Sequence, residues 1–117
     1  MFATVTDRKI RFAVVGCGRI AKNHFAAIAQ HKDNIELVGV CDTNRERLKA
    51  ASEATGAPGF SRLGDMLKDC DADIVVIASP SGLHAEQTIQ IAASGRHVMT
   101  EKPMATRWLD GKRMVQA

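Results

Sequence analysis

The sequence predicts a doubly wound α/β domain with a parallel sheet, and three observations carry that expectation. Short apolar runs alternate along the 117 residues with segments whose apolar residues recur every three to four positions. The first run, Phe12-Ala13-Val14-Val15, passes directly into Gly16-Cys17-Gly18-Arg19-Ile20-Ala21, a turn of small residues that opens a helix. The clearest strand, over 72–78, is short, β-branched and apolar rather than alternating. Unbroken apolar runs mark strands buried on both faces, as in a parallel sheet. Strands and helices of these lengths form β-α-β units with right-handed crossovers.

Residues 1–9 read as a flexible lead-in, and the domain occupies 10–117. In the turn after the first strand, Gly16 allows the tight bend and Gly18 leaves room for a pyrophosphate against the backbone. Ala21 permits close packing of helix on strand. With Arg19 and Ile20 these residues form a cradle, at which the helix aims its unpaired N–H groups and positive dipole end. Ile20, Ala21, Phe25, Ile28 and Ala29 supply the helix's apolar face, with His24 inside the stripe as a packing residue.

A polar turn over 31–34 leads to a second strand over 35–41, ending at Asp42. Thr43-Asn44-Arg45-Glu46 reads as a capping box with Thr43 at the cap. The helix it opens runs to about Thr55, where Gly56 is a stop. Pro58-Gly59-Phe60 holds a short third strand. Leu63, Met66, Leu67 and Cys70 are spaced for an amphipathic helix over 61–70. The strand over 72–78 closes on the loop Ser79-Pro80-Ser81-Gly82. Ala85, Ile89, Ala92 and Ala93 form the apolar face of a helix that stops at Gly95. His97–Thr100 is a fifth strand, followed by Glu101-Lys102-Pro103. A last helix begins near Thr106 or Arg107, with Trp108 in the core or at an interface. The expected strand order is 3-2-1-4-5, which gathers the loops 16–21, 42–43, 79–84 and 101–103 at one end of the sheet.

Composition narrows the function classes. A net charge of +3 with cations scattered among acids gives no basic stripe of the kind nucleic acid requires. No apolar run approaches membrane length, and no signal pattern opens the chain. Cys17, Cys41 and Cys70 are odd in number and lack Cys-x-x-Cys spacing. They read as small buried residues in a reducing cytoplasm, neither disulfides nor metal ligands. A redox-sensitive Cys17 inside the cradle is the alternative.

Two constellations carry chemistry. Asp42 lies roughly 20 residues beyond the glycines, where an acid binds the ribose hydroxyls of NAD and repels the 2′-phosphate of NADP. Capping the following helix is its simpler reading, and the nearby Arg45 is of the type that accommodates a 2′-phosphate. Glu101-Lys102-Pro103 places a Lys and a Glu at a strand's carboxyl end. Pro103 is where a cis bond is inexpensive, a bond that would aim Lys102 into the cleft. There Lys102 suits proton exchange with a substrate hydroxyl. Ser79, Pro80 and His84 lie close to the expected nicotinamide end.

Gly-Cys-Gly-Arg-Ile-Ala-x-x-His, Cys-Asp, Ala-Ser-Pro-Ser-x-x-His and Thr-Glu-Lys-Pro-Met-Ala together resemble the N-terminal Rossmann domain of the glucose–fructose oxidoreductase / inositol dehydrogenase / MocA family. The resemblance spans residues 10 to 117. Gly-Cys-Gly-Arg-Ile-Ala-Lys-Asn-His and Met-Thr-Glu-Lys-Pro-Met-Ala-Thr-Arg-Trp are similar to one branch, the bacterial UDP-N-acetyl-2-amino-2-deoxy-glucuronate dehydrogenases of lipopolysaccharide sugar synthesis. The resemblance implies hydride transfer from a sugar carbon to NAD, and in that branch oxidation of the C3 hydroxyl of a UDP-linked N-acetylglucosaminuronate. It implies Lys102 as the catalytic lysine, Glu101 as a ligand of the nicotinamide ribose, and Ser79, Pro80 and His84 along the cofactor. Family members continue into an α/β substrate domain that also makes the oligomer contact. By that measure the chain is truncated, and alone it is expected to be inactive. A non-catalytic NAD-binding sensor of the same fold needs only the glycine turn and Asp42, so Glu101-Lys102-Pro103 favours enzyme ancestry. A methyltransferase has no use for that turn.

Overall fold

Val14 and Val15 are almost wholly buried in the middle strand of a five-stranded parallel sheet. The computed structural model describes residues 4–117, so the first three positions of the lead-in expected over 1–9 lie outside the described residues. In chain order the elements are β1 (Ile10–Val15), α1 (Ala21–Gln30), β2 (Ile35–Cys41), α2 (Arg45–Thr55) and β3 (Gly59–Phe60). There follow α3 (Leu63–Asp69), β4 (Ile74–Ile77), a short 3₁₀ turn (Ser81–Leu83), α4 (His84–Ala93), β5 (His97–Thr100) and α5 (Trp108–Gln116). The sheet order is β3-β2-β1-β4-β5, as the alternation of elements predicts. β1 pairs with β4 from Phe12 opposite Ile74 to Val15 opposite Ile77. Against β2 the register slips once, between Phe12 and Ala13.

Alternate residues of the central strands feed opposite faces, which makes three layers. Ala13, Val15, Val75 and Ile77 pack with Met66 and Leu67 of α3 and Ile91 of α4. Val14 and Val76 pack on Ala21 and Ile28 of α1. On that same side Val40 meets Ala51 of α2, with Phe25 and Leu37 bridging the two clusters. Ala21 is wholly buried, as close packing of helix on strand demands.

The strand expected over 72–78 forms only over Ile74–Ile77, and other sequence expectations also need correction. The cap of α2 is Asn44, not Thr43: Asn44 Oδ1 accepts from Arg47 N at 3.0 Å. Asp42 causes the shift, because its Oδ1 takes the Asn44 N–H at 2.8 Å and extends the loop by one residue. The helix expected over 61–70 forms only from Leu63 to Asp69, with Cys70 buried just past its end. The buried stripe of α4 is His84, Thr88 and Ile91. Ala85, Ile89 and Ala92 are half-buried and Ala93 is exposed, because the 3₁₀ turn rotates the helix until its histidine points inward. Of the two places expected for Trp108 the core is excluded, since it is 83% exposed, and Met114 is the residue of α5 that packs inward.

The opposite, amino-terminal end of the sheet is held by charge. Arg8 reaches Asp73 with both terminal nitrogens, at 2.7 and 2.9 Å. The Arg11 backbone N–H donates to the same carboxylate at 2.8 Å. The Arg8 hydrogen bond, helped by that backbone donor, holds the Asp73 carboxyl well below the usual carboxylate range.

Candidate functional site

The helices leaving β1 and β4 go to opposite faces of the sheet, so the loops beneath them splay apart and leave a cleft. The cavity is about 1030 Å³. Its lining brings together Gly16, Gly18, Arg19, Ile20, Asp42, Ser79 and Pro80, seven residues from three loops far apart in sequence.

The two glycines of the turn answer to different constraints. Gly16 has φ +94°, and a Cβ there would sit 2.5 Å from the backbone N of Ser79. The fold itself excludes any side chain at this point. A Cβ on Gly18 would meet only Arg47 Nη1, at 3.8 Å. The space over Gly18 is open, and leaving it open serves a ligand rather than the core. No side chain caps α1 and no acid stands in its first turn, so its positive end is available to an anion. These features fit a dinucleotide's diphosphate.

Asp42 is fixed from both sides. Its Oδ2 accepts the Cys17 N–H at 2.8 Å, tying the turn to the end of β2, while Oδ1 holds Asn44. It is not the cap of α2, and each oxygen keeps a lone pair for a ribose diol. Arg45, the cation singled out from the sequence, does not line the cleft; Arg47 does. Cys17, Cys41 and Cys70 are buried with free thiols. Burial, and after it the charge of Asp42, pushes the Cys17 thiol up to about 11. Burial pushes Cys41 up to about 12. Neither is a thiolate at neutral pH, which counts against a redox-sensitive Cys17.

At the other end, Ser79 Oγ donates to Gln87 Oε1. The resemblance implies His84 along the cofactor, yet the residue is 1% exposed and lies behind the loop. Its Nε2 is 2.8 Å from the Ser79 carbonyl and its Nδ1 is 2.9 Å from the Pro103 carbonyl. His84 therefore clamps the β4 loop to the β5 turn and offers the cleft no free ring atom. Glu101 continues the sheet through its N–H to the Ile77 carbonyl at 3.0 Å. Its Oε1 is 2.5 Å from His24 Nε2. Lys102 is exposed, and the Lys102–Pro103 bond is cis.

Ala21, His84, Glu101 and Lys102 thus stand outside the main lining: Ala21 in the core, His84 between Ser79 and Pro103, Glu101 against His24, and Lys102 exposed. Sequence reasoning missed Arg47, Arg62, Leu63 and Gln87, all cleft residues, and the reach of His24 to Glu101. Arg47 carried one usable signal, its place in the first turn of α2, on the same short stretch as Asp42.

The family described as oxidoreductase, NAD-binding Rossmann fold, under the Gfo/Idh/MocA heading, matches residues 10–117. The chain belongs to this family. Its sheet and cleft are those of a Gfo/Idh/MocA NAD-binding domain. Among solved structures it is similar to the WlbA dehydrogenase of Chromobacterium violaceum, in complex with NADH and UDP-GlcNAcA. The two are 59% identical with a TM-score of 0.98, over 99% of this chain and 34% of that one. The WlbA dehydrogenase of Bordetella pertussis, also with NADH and UDP-GlcNAcA, is 65% identical with a TM-score of 0.95, over 97% of this chain and 34% of that one. The D-glucoside 3-dehydrogenase of Escherichia coli is 33% identical over 106 residues, 90% of this chain and 30% of that protein. The chain thus spans about a third of the length of the relatives it matches. Among the described residues no helix is long and apolar enough to cross a membrane.

Proposed function

We propose that this chain is the cofactor-binding part of an NAD-dependent sugar-nucleotide dehydrogenase of the lipopolysaccharide O-antigen sugar route. Its substrate would be a UDP-N-acetylglucosaminuronate, oxidised at the C3 hydroxyl. The observation that carries this reading is the 59–65% identity to two WlbA dehydrogenases that hold NADH and UDP-GlcNAcA. Inositol and glucoside dehydrogenases stand at 24–34%. The site is cytoplasmic in this reading, and at the relatives' full length the protein is a homo-oligomer.

Bound NAD supplies the hydride acceptor. The turn 16–21 would hold the diphosphate by backbone N–H groups, and Asp42 would accept from the adenosine ribose hydroxyls. Ser79 and Pro80 wall the nicotinamide end, and Glu101 accepts from its ribose. With the C3 hydride taken up by that acceptor, the hydroxyl proton would pass to the unprotonated Nζ of Lys102 and the carbon would become a ketone. General base catalysis of this kind contributes about 10²–10⁴-fold. The test is Lys102→Met at the relatives' full length, which keeps the side chain's approximate shape and removes the amine. NAD binding should stay near normal while kcat for UDP-N-acetylglucosaminuronate oxidation falls about a hundredfold or more. A near-normal kcat would show that the proton goes elsewhere.

A further inference from the structure

His24 of α1 reaches the far end of the site. It lies in the first turn after Gly16–Ala21, yet its Nε2 is 2.5 Å from Oε1 of Glu101, which follows β5. The two side chains are 22% and 30% exposed, partly withdrawn from water, where a hydrogen bond to a carboxylate is strengthened. An ionised carboxylate only accepts, so Nε2 is the donor. The contact crosses the switch point of the sheet, from the helix after β1 to the strand beyond β4.

We infer that His24 is a positioning residue of the cofactor site, which holds Glu101 in the orientation that receives the nicotinamide ribose. This rests on the reading of Glu101 as a ribose ligand given above. A glutamate is a long side chain with three rotatable bonds, and ordering it at the moment of binding would cost affinity. His24 fixes it beforehand with a bond that occupies one carboxylate oxygen and leaves Oε2 for a hydroxyl. The backbone around Glu101 is already held, by its own N–H to Ile77 and by the His84 bond to Pro103. The side chain is the remaining freedom, and His24 removes it. Because His24 stands on the helix that carries the phosphate cradle, the same bond also sets the span between the two ends of the cofactor.

The experiment compares two probes on the full chain: NADH, which carries the nicotinamide ribose, and ADP, which lacks it. His24→Ala should weaken NADH about 10-fold and leave ADP within about 2-fold, as calorimetry and fluorescence titration read it. His24→Gln keeps a donor of similar reach and should restore most of the loss. In a Glu101→Ala background, His24→Ala should add no further loss of NADH affinity. Equal weakening of ADP and NADH would make His24 a part of the phosphate turn or of the fold, and unchanged NADH affinity would remove the role altogether. Binding of neither probe by the unmutated, folded chain would overturn the cofactor reading and this inference with it.

Discussion

Gly16 and Gly18 look interchangeable in the motif, and the space around them says otherwise. A side chain on Gly16 must both adopt φ +94° and enter the backbone of Ala78 and Ser79. Gly16→Val should therefore destabilise the fold by on the order of 2 kcal/mol or more, seen as a lowered melting temperature. Gly18→Val should melt near the unmutated protein, because only the flexible end of Arg47 lies close. It should lose NADH affinity at least 10-fold through steric block of the diphosphate. A Gly18→Val chain that bound NADH normally would show that residues 16–21 do not hold the cofactor. At this scale the sequence was readable wherever a residue's type is dictated locally, as at Gly16, Gly18 and Asp42. It was not readable where a side chain acts across the sheet. His24 reads as packing because its place in the stripe of α1 is visible, and Glu101, 77 positions later, is not.

The elements were legible in kind and order because each apolar run and each helical stripe is self-contained. Their boundaries moved where a polar side chain took a backbone group for itself. Asn44 caps α2 because Asp42 had already claimed its N–H. The stripe on α4 turned by one position with His84 lying between two carbonyl oxygens, and the single N–H of a neutral ring donates to one of them, offsetting part of the cost of burying it. β4 begins at Ile74 rather than Ala72, with Asp73 spent on Arg8 and Arg11 at the strand's lower edge. That cluster ties the segment before β1 to the start of β4 and makes a pH-dependent prediction. Asp73 titrates below its unfolded value of about 3.9, so its stabilisation is full above that pH and is lost as pH falls through 4 toward the folded value. Asp73→Asn should lower the melting temperature at pH 7 by about 5 °C, the shift that about 1 kcal/mol produces in a small domain. The gap between variant and unmutated protein should narrow steadily below about pH 4 and close only as the pH reaches the depressed folded value. A gap that stays constant from pH 7 to pH 2 would mean that the Asp73 charge contributes nothing.

For the whole molecule, topology does what no single motif can. The order β3-β2-β1-β4-β5 places four loops, well separated in sequence, along one cleft, with the turn after β5 beside it against His84. Alternation of strands and helices was enough to foresee that convergence; it was not enough to foresee which cations would stand beside Asp42 in the cleft. Arg45 drew attention through its place beside Asp42, but the first turn of α2 carries Arg47 to the cleft instead. An acid and an arginine thus share the end of the cleft proposed for the adenosine ribose, where NAD and NADP would differ, and Asp42 is the one fixed by two backbone donors. The most direct measurement is a fluorescence titration of the chain with NADH and with NADPH, repeated on Asp42→Ala. NADH should bind at least about 10-fold more tightly than NADPH, since a 2′-phosphate would face a carboxylate held in place. Asp42→Ala should weaken NADH and narrow that preference. Equal affinity of the unmutated protein for the two cofactors would contradict the account at its centre.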